Sequence, residues 1–208
     1  MGRLAEGCLT LDALQGHWRR DWMRWPGRGG GGEDATTRVH WLQAGALYAD
    51  IRVPAERPAL DGARCLDDLD PPALLGLMQA EGFAGTITLE GDICTWHRRI
   101  NWHGRPAGVD AGRMHFAGAA LIEDGVYAAY RELWQPVAGP ALCASRVTGR
   151  TAEGPVEGVL VSSDTLFLLA LGRPDAKPSA PLLAALATGT RPPEVARHFA
   201  GLYALGRW

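Results

Sequence analysis

The chain has 208 residues, of which 47% are hydrophobic, so it can bury a sizeable core without cross-links. Its formal net charge of −2 gives no reason to expect binding to nucleic acid or to an acidic membrane surface. It contains no recognisable signal peptide, no stretch long enough to cross a membrane, and no zinc-ligand spacing among its four cysteines. We therefore expect a cytoplasmic protein without a metal or other cofactor, whose oligomeric state the sequence leaves open.

The N-terminal elements are ambiguous in type but regular in spacing. Gly16–Trp25 carries tryptophans at positions 18, 22 and 25, which fit one face of a helix, although a strand is also compatible with these residues. Residues 26–34 are predicted to form a loop, because five glycines and a proline do not hold a packed element. Residues 38–43 and Leu47–Val53 are predicted to pair as a β-hairpin.

The middle and C-terminal parts continue this alternation of short elements and turns. The pattern predicts a helix at 72–80, a strand–turn–strand unit with its turn at 90–92, and a hairpin of 113–122 with 126–134. Beyond Pro140 it predicts three strands, a short helix and a final segment that is helical or extended, at 141–149, 156–163, 165–173, 181–189 and 195–208. Short strands with frequent turn signals favour a mainly β, antiparallel barrel or sandwich.

An internal repeat is the clearest organisational signal. Residues 38–41, Arg-Val-His-Trp, match 113–116, Arg-Met-His-Phe, and residues 47–52 match 126–131 with four more residues between the matched segments. We predict two related β modules, about 14–70 and about 83–140, followed by C-terminal strands and a helix at 141–208, within one compact unit. The modules could form two barrels or two halves of one closed barrel, and closure would remove exposed sheet edges.

The stretch around Gly16 and Trp18 suggests a family. A Gly-x-Trp element followed by repeated antiparallel hairpins resembles the opening of the calycin superfamily, which includes lipocalins and fatty-acid-binding proteins. The resemblance implies a calycin-like barrel with a cup for a small, mostly apolar ligand. It carries no catalytic residues across to this chain.

The first hairpin holds the polar residues of greatest interest. Arg38 and His40 share one strand face, while Tyr48, Asp50 and Arg52 share a face of the next strand. A three-residue turn would place His40 opposite Asp50, whereas a two-residue turn would direct the two sets to opposite faces. Directed inward, a His–Asp pair with Arg and Tyr neighbours could act as general acid and base or bind a carboxylate. Directed outward, the same residues would form solvated cross-strand pairs.

The second copy and a basic tract supply the remaining candidates. Arg113, His115, Tyr127 and Arg131 repeat the pattern, with Ala129 at the position that the repeat aligns with Asp50. The tract 96–105 carries three arginines without an acidic residue, and Trp96 within it could help to hold an anionic ligand. His97 and His103 in the same tract do not form a known metal-ligand signature.

These observations support three hypotheses. The first is a β-barrel that binds a small organic molecule, anionic in one version, in a partly apolar cup. The second is a cofactor-independent isomerase, lyase or cyclase with a histidine general base, and the third is a structural or interaction protein. The candidate catalytic residues are His40, Asp50 and His115. The candidate ligand-binding residues are Arg38, Tyr48, Arg52, Trp96, Arg113, Tyr127 and Arg131.

Overall fold

The computed structural model describes residues 9–27, 31–106, 108–199 and 201–208, and these are mainly β. Cys8 lies outside the described residues. The strands are β1 Gly16–Trp25, β2 Gly32–Asp34, β3 Arg38–Ala44, β4 Leu47–Val53, β5 Glu81–Glu90, β6 Ile93–Asn101, β7 Asp110–Ala117, β8 Ala120–Gly125, β9 Arg131–Val137, β10 Cys143–Thr151, β11 Gly154–Ser162, β12 Leu166–Gly172 and β13 Leu202–Arg207. The α-helices are α1 Pro71–Met78, α2 Ala180–Ala187 and α3 Val195–His198.

Eight strands close into one antiparallel barrel. Their order is β1-β3-β4-β5-β6-β7-β8-β9, and β9 pairs back with β1 to complete the ring. Every barrel strand pairs with two neighbours, so the ring has no edge strand, although β6 pairs with β7 only over 93–96; the short β2 pairs with the end of β1. The predicted mainly β, antiparallel barrel is therefore confirmed, as one barrel that both proposed modules build together.

The barrel interior is packed with large side chains. Trp41 lies at its centre, with ring centroids 5.8 Å from Trp96 and 5.7 Å from Trp134, both in edge-to-face geometry. Trp18 stacks against the same ring at 6.1 Å. These four indoles belong to the barrel core, whereas Phe116, which the repeat matches with Trp41, is 40% exposed.

A second layer covers one side of the barrel. Strands β10 to β13 form a four-stranded antiparallel sheet whose inner face packs on the outside of β3, β4 and β5. Leu42 and Ala49 of the barrel contact Val161 and Leu168 of this sheet in a buried apolar seam. The three strands predicted after Pro140 are confirmed, and the final segment contains both a helix, α3, and a strand, β13. Helices α1 and α2 pack together beside this layer through Leu74, Met78, Leu182 and Leu186.

The register of the first hairpin follows from its turn. Strands β3 and β4 are joined by the two residues Gly45 and Ala46, and Gly45 has a φ of +59°, which a glycine adopts without steric cost. Trp41 consequently lies opposite Asp50, and His40 lies opposite Ile51. Of the two registers that the sequence left open, the protein has the one that directs the two polar sets to opposite faces.

The second hairpin is shorter than the repeat alignment predicts. Its turn lies at Gly118, with a φ of +68°, so the chain forms β8 from Ala120–Gly125, and the turn predicted at 123–125 is wrong. Measured from the two turn glycines, the residue five positions on is Asp50 in β4 and Glu123 in β8, and both are buried. Counted from the turn, a buried carboxylate therefore occupies the same position in both hairpins, while the internal repeat itself stays a prediction. The loop predicted at 26–34 is likewise interrupted by β2, and Gly16–Trp25 is a strand.

Candidate functional site

The predicted histidines lie on the outer surface of the barrel wall. His40 is half-buried beside His17, and Nδ1 of His40 is 2.9 Å from Nε2 of His17. Burial and the neighbouring His40 lower the pKa of His17 to about 4, and burial also lowers the pKa of His40. His115 is exposed. The His40–Asp50 pair is therefore not formed, because the two side chains lie on opposite faces of the wall.

The remaining predicted residues divide between the surface and the core. Arg38 and Arg113 are exposed, and Arg113 forms an ion pair with Asp92 at 2.5 Å. Tyr127 is 72% exposed in the loop between β8 and β9, where the sequence predicted a strand. Arg131 is exposed and pairs with Asp124. Trp96 belongs to the buried indole cluster. The ligand-binding roles assigned to these residues stay predictions.

Tyr48, Asp50 and Arg52 point into the barrel, and Asp50 lies directly opposite Trp41. Asp50 and Arg52, which are farther from the turn at Gly45 than Tyr48 is, begin a group of charged side chains that we call the polar end. Nε of Arg52 donates to Oδ1 of Asp50 at 2.9 Å, and its Nη1 lies 3.8 Å from Oε1 of Glu132. Arg20 of β1 donates to the same Glu132 oxygen at 2.8 Å and to Asp34 at 2.5 Å. One chain of alternating charges therefore crosses the interior from β4 to β2.

Further ion pairs and hydrogen bonds complete the polar end. Arg98 donates two hydrogen bonds to Asp110, at 2.6 and 2.9 Å, and its guanidinium lies 3.5 Å from the centre of the Phe83 ring. Glu123 accepts the Tyr130 hydroxyl at 2.7 Å and the Trp134 indole N–H at 3.0 Å. Every buried carboxylate and guanidinium here thus has a partner of opposite charge or a hydrogen-bond donor.

Burial shifts the pKa values of two carboxylic acids at the polar end. Loss of solvation raises the pKa of Asp50 to about 6, even though Arg52 opposes the shift. Loss of solvation and the adjacent Glu132 raise the pKa of Glu123 well above its ordinary range. Shifts of this kind occur in catalytic sites and in structural ion-pair networks alike. Tyr48 is fully buried between these groups, and its hydroxyl has no hydrogen-bond partner within the described structure.

An outer pocket lies beside the polar end, between the barrel and the second layer. Its volume is about 430 Å³, within the range of small-molecule sites. Its walls are the loop that follows β6, the segment that follows β12, the start of α2, and the chain around α3 and β13. The loop after β6 is about 70 residues away from the other walls in sequence, so the pocket exists only once the second layer has docked on the barrel.

Three aromatic residues form one wall of the outer pocket. The Trp102 ring lies 4.9 Å from His198 and 5.8 Å from Tyr203, measured between ring centroids, in edge-to-face geometry. Each of the three carries a buried polar atom with no hydrogen-bond partner among the described residues: Nε1 of Trp102, Nε2 of His198 and the hydroxyl of Tyr203. An unpaired buried polar group costs about 1–3 kcal/mol, so three of them around one cavity require an explanation.

Hydrogen bonds hold the walls of the outer pocket together. Ser179 N–H donates to the His103 carbonyl at 3.1 Å, and Arg105 N–H donates to the Ala176 carbonyl at 3.4 Å. The His103 ring donates through Nε2 to the Ala80 carbonyl at 3.1 Å, which leaves Nδ1 to accept the Ser179 hydroxyl at 2.8 Å. Gly104, with a φ of +80°, is required here because a Cβ would collide with the Lys177 backbone. These contacts fix the shape of the cavity in advance of any ligand.

The charged side chains around the outer pocket are mostly cationic. Arg173, Lys177 and Arg197 line it, against Asp175 and Glu194. Arg173 is neutralised by Asp175 at 3.0 Å and also donates to the Glu153 carbonyl. Lys177, the only lysine in the chain, has no carboxylate partner among the described residues. Burial and the nearby His103 lower the pKa of His198 to about 4, so this imidazole is neutral at pH 7.

The sequence offered only fragments of the outer pocket. Trp102 and His103 fall in the basic tract 96–105, and residues 174–180 lie between the predicted strand 165–173 and the predicted helix 181–189. The one signal for the outer pocket in this segment was Lys177, because it is the only lysine in the chain. Contacts between 102–105 and 173–179 span about 70 residues, and single-sequence patterns carry no information about such pairings.

Other classes of site find no support in the described structure. Within it, no three His, Cys, Asp or Glu side chains are grouped closely enough to hold a metal ion. Its longest helices have eight residues, so none of the described helices has the length and apolarity to cross a bilayer. Comparison of the chain with family models, curated proteins and solved structures finds no match.

Proposed function

We propose that this protein binds a small organic molecule, and that the ligand occupies the outer pocket. The observation that carries the proposal is the convergence of three unpartnered buried polar atoms, on Trp102, His198 and Tyr203, at one cavity of about 430 Å³. The aromatic faces would contact the apolar body of the ligand, and small side-chain rotations, which these almost inaccessible atoms require, would let them hydrogen-bond to its polar groups.

The outer pocket supports this function better than the barrel interior does. The interior is filled by residues such as Trp41, Tyr48 and Trp134, each no more than 2% exposed, so a ligand there would have to displace packed side chains. The outer pocket is concave and partly polar, and its walls are held by hydrogen bonds between backbone groups. Pre-formed walls lower the entropic cost of binding.

The predicted residues at the polar end remain the second location for a ligand. The observation in favour is that the Tyr48 hydroxyl is buried without a partner in the described structure, near Arg98, Asp110 and Asp50. Arg52 keeps 19% of its side-chain area exposed, so a small anion could reach it from the rim. Arg52→Lys removes its planar, bidentate donor geometry while it keeps the charge, and so tests this location.

A ligand screen with matched variants tests the proposal. Small acids, amides, amines and neutral aromatics would be screened by thermal shift and ligand-observed NMR, and hits titrated against the wild type, Tyr203→Phe, Trp102→Phe and Arg52→Lys. Tyr127→Phe, an exposed tyrosine, is the matched control. We expect each pocket variant to weaken binding by about 10-fold, the size of one lost buried hydrogen bond, and the control to bind normally.

Two results would contradict the proposal. If no compound class stabilises the wild type, the ligand-binding function is not supported. If hits bind the pocket variants as tightly as the wild type but lose affinity for Arg52→Lys, the site is the polar end of the barrel.

A further inference from the structure

Donors outnumber acceptors among the polar groups of the outer pocket. The Trp102 indole nitrogen can only donate, and Arg173, Lys177 and Arg197 also carry donors alone. The Tyr203 hydroxyl can donate or accept, and Nε2 of the neutral His198 does one or the other according to its tautomer; neither has a partner in the described structure. A ligand that satisfies Trp102 and the cationic side chains must therefore present hydrogen-bond acceptors.

The acceptors that line the outer pocket are largely engaged already. Asp175 accepts from Arg173, at 3.0 Å to Nη2 and 3.3 Å to Nε. Oδ1 of Asn101 lies 3.4 Å from Nη1 of Arg98, and its amide nitrogen donates to the Gly104 carbonyl. Ser179 uses its hydroxyl proton on His103. Glu194 is the exception, an exposed carboxylate at the rim of the cavity with no ion pair in the described structure.

The charged side chains at the outer pocket also bear on the kind of ligand that it would bind. Three cationic side chains and two anionic ones line it, and Asp175 forms an ion pair with Arg173. Arg197 reaches only the Glu153 carboxylate, at 4.0 Å. Lys177 is left without a carboxylate partner in the part of the chain that the structure describes, in a molecule whose overall charge is negative. With Glu153 counted beside Arg197, the charges balance, so an anion would be favoured locally at Lys177, the one cationic side chain of the lining that has no carboxylate within 4 Å in the described structure.

We infer that the ligand of the outer pocket is an organic anion, a carboxylic acid or phosphate ester with a planar or apolar body, whose charged group pairs with Lys177. This inference rests on the proposed function and specifies its ligand class. The body of the ligand contacts the aromatic wall of Trp102, His198 and Tyr203, and its anionic oxygens accept hydrogen bonds from the donors that lack partners.

A matched probe series tests the ligand class. Benzoate, phenyl phosphate, benzamide and benzylamine share one ring and differ in charge and donor pattern. Each would be titrated into the wild type, Lys177→Gln and Lys177→Arg, with Tyr203→Phe used to locate binding in the outer pocket. We expect an anion to bind at least about 10-fold more tightly than benzamide, since hydrogen bonds to charged groups are roughly twice as strong as neutral ones. Lys177→Gln should remove most of this preference, and Lys177→Arg should retain part of it.

The single lysine permits a direct structural readout. Reductive methylation with ¹³C-formaldehyde keeps the charge and labels Lys177 together with the α-amino group only. Benzoate or phenyl phosphate should shift the dimethyl-lysine signal, and the shift should diminish with added salt because the pairing is electrostatic.

The outcomes separate the two proposals. If benzamide or benzylamine binds in the outer pocket as tightly as the anions, or if Lys177→Gln leaves anion affinity unchanged, the inferred ligand class is overturned and the proposed function stands. If no probe binds, and the broader ligand screen also finds nothing whose affinity depends on Tyr203, both proposals fail together.

Discussion

Buried charged groups at the polar end of the barrel are paired with one another, whereas several buried polar atoms at the outer pocket have no hydrogen-bond partner in the described structure. In the barrel, Arg20 and Arg52 share Glu132, and Arg98 is paired with Asp110, so the charged groups are partnered and closely packed. In the outer pocket, polar atoms of Trp102 and Tyr203 are buried without partners next to open space. Removing a group from the first region should therefore reduce stability, and removing one from the second should reduce binding.

The same contrast applies to the pKa values in the two regions. Burial raises the pKa of Asp50 to about 6 although an arginine lies beside it, which indicates a network that is expensive to bury. Burial lowers the pKa of His198 to about 4 in the outer pocket, which leaves a neutral ring available to a ligand. A perturbed pKa alone does not distinguish a structural group from a functional one, so we compare the surroundings of each group: Asp50 lies among packed charged side chains, and His198 lies in the wall of a cavity.

The largest effect is expected from breaking the chain of charges across the barrel. Arg20→Met leaves the buried Glu132 with only Arg52, at 3.8 Å, and Asp34 with only hydrogen bonds from Thr36 and Thr37, and should lower the free energy of unfolding by about 3 kcal/mol in urea titrations. Arg113→Ala, which breaks an exposed pair with Asp92, is the matched control and should cost no more than about 1 kcal/mol. Equal losses in the two variants would show that the buried network does not stabilise the barrel more than a surface pair does.

A pair of tyrosine variants separates the two regions most directly. Tyr130→Phe removes a hydrogen bond to the buried Glu123 and should lower the free energy of unfolding by about 1–3 kcal/mol. Tyr203→Phe removes a hydroxyl with no partner in the described structure and should leave stability unchanged or raise it by about 1 kcal/mol. Chemical denaturation of the ligand-free proteins measures both. A loss for Tyr203→Phe as large as that for Tyr130→Phe would mean that the Tyr203 hydroxyl has a structural partner.

The sequence predicted the architecture better than the candidate site, because strand patterns are local whereas the site depends on turn length and on long-range contacts. Period-2 patterns and turn residues suffice to predict an antiparallel barrel, because strand rhythm is local. The direction of His40 depended on whether its turn has two or three residues, and that one-residue difference inverts the whole strand. The repeat alignment matched Asp50 with Ala129 by residue type, while the turn at Gly118 places Glu123 at the corresponding position. The outer pocket depends on the docking of 102–105 against 173–179, which no local pattern reveals.

A histidine pair on the outer wall predicts an acid-sensitive stability. The pKa of His17 is lowered from 6.5 to about 4, so the folded state binds its proton less readily than the unfolded state does. The contribution of His17 to the free energy of unfolding is therefore fully present above about pH 6.5 and is lost as the pH falls towards 4. We expect the wild type to lose about 1–2 kcal/mol from this group between pH 7 and pH 4.5, after allowance for its partial exposure.

The effect of His17 on stability is measured as the difference between the stability–pH profiles of the wild type and His17→Gln. Asp50 acts in the opposite direction, because its raised pKa makes its burial less costly as the pH falls through about 6. Subtracting the stability–pH profile of His17→Gln from that of the wild type cancels the Asp50 contribution. Parallel profiles for the two proteins would show that the His17–His40 contact does not impose the expected proton linkage.

The smallest effect is expected at the surface residues that the repeat pattern had singled out. Tyr127 is 72% exposed in a loop and has no hydrogen bond among the described contacts, so Tyr127→Ser should change the free energy of unfolding by less than about 0.5 kcal/mol. It should also leave ligand affinity unchanged, since Tyr127 does not line the outer pocket. Denaturation and ligand titration together check both statements. A loss of binding in Tyr127→Ser with stability intact would return the ligand site to the residues of the repeat, and the unpartnered atoms of Trp102 and Tyr203 would then need another explanation.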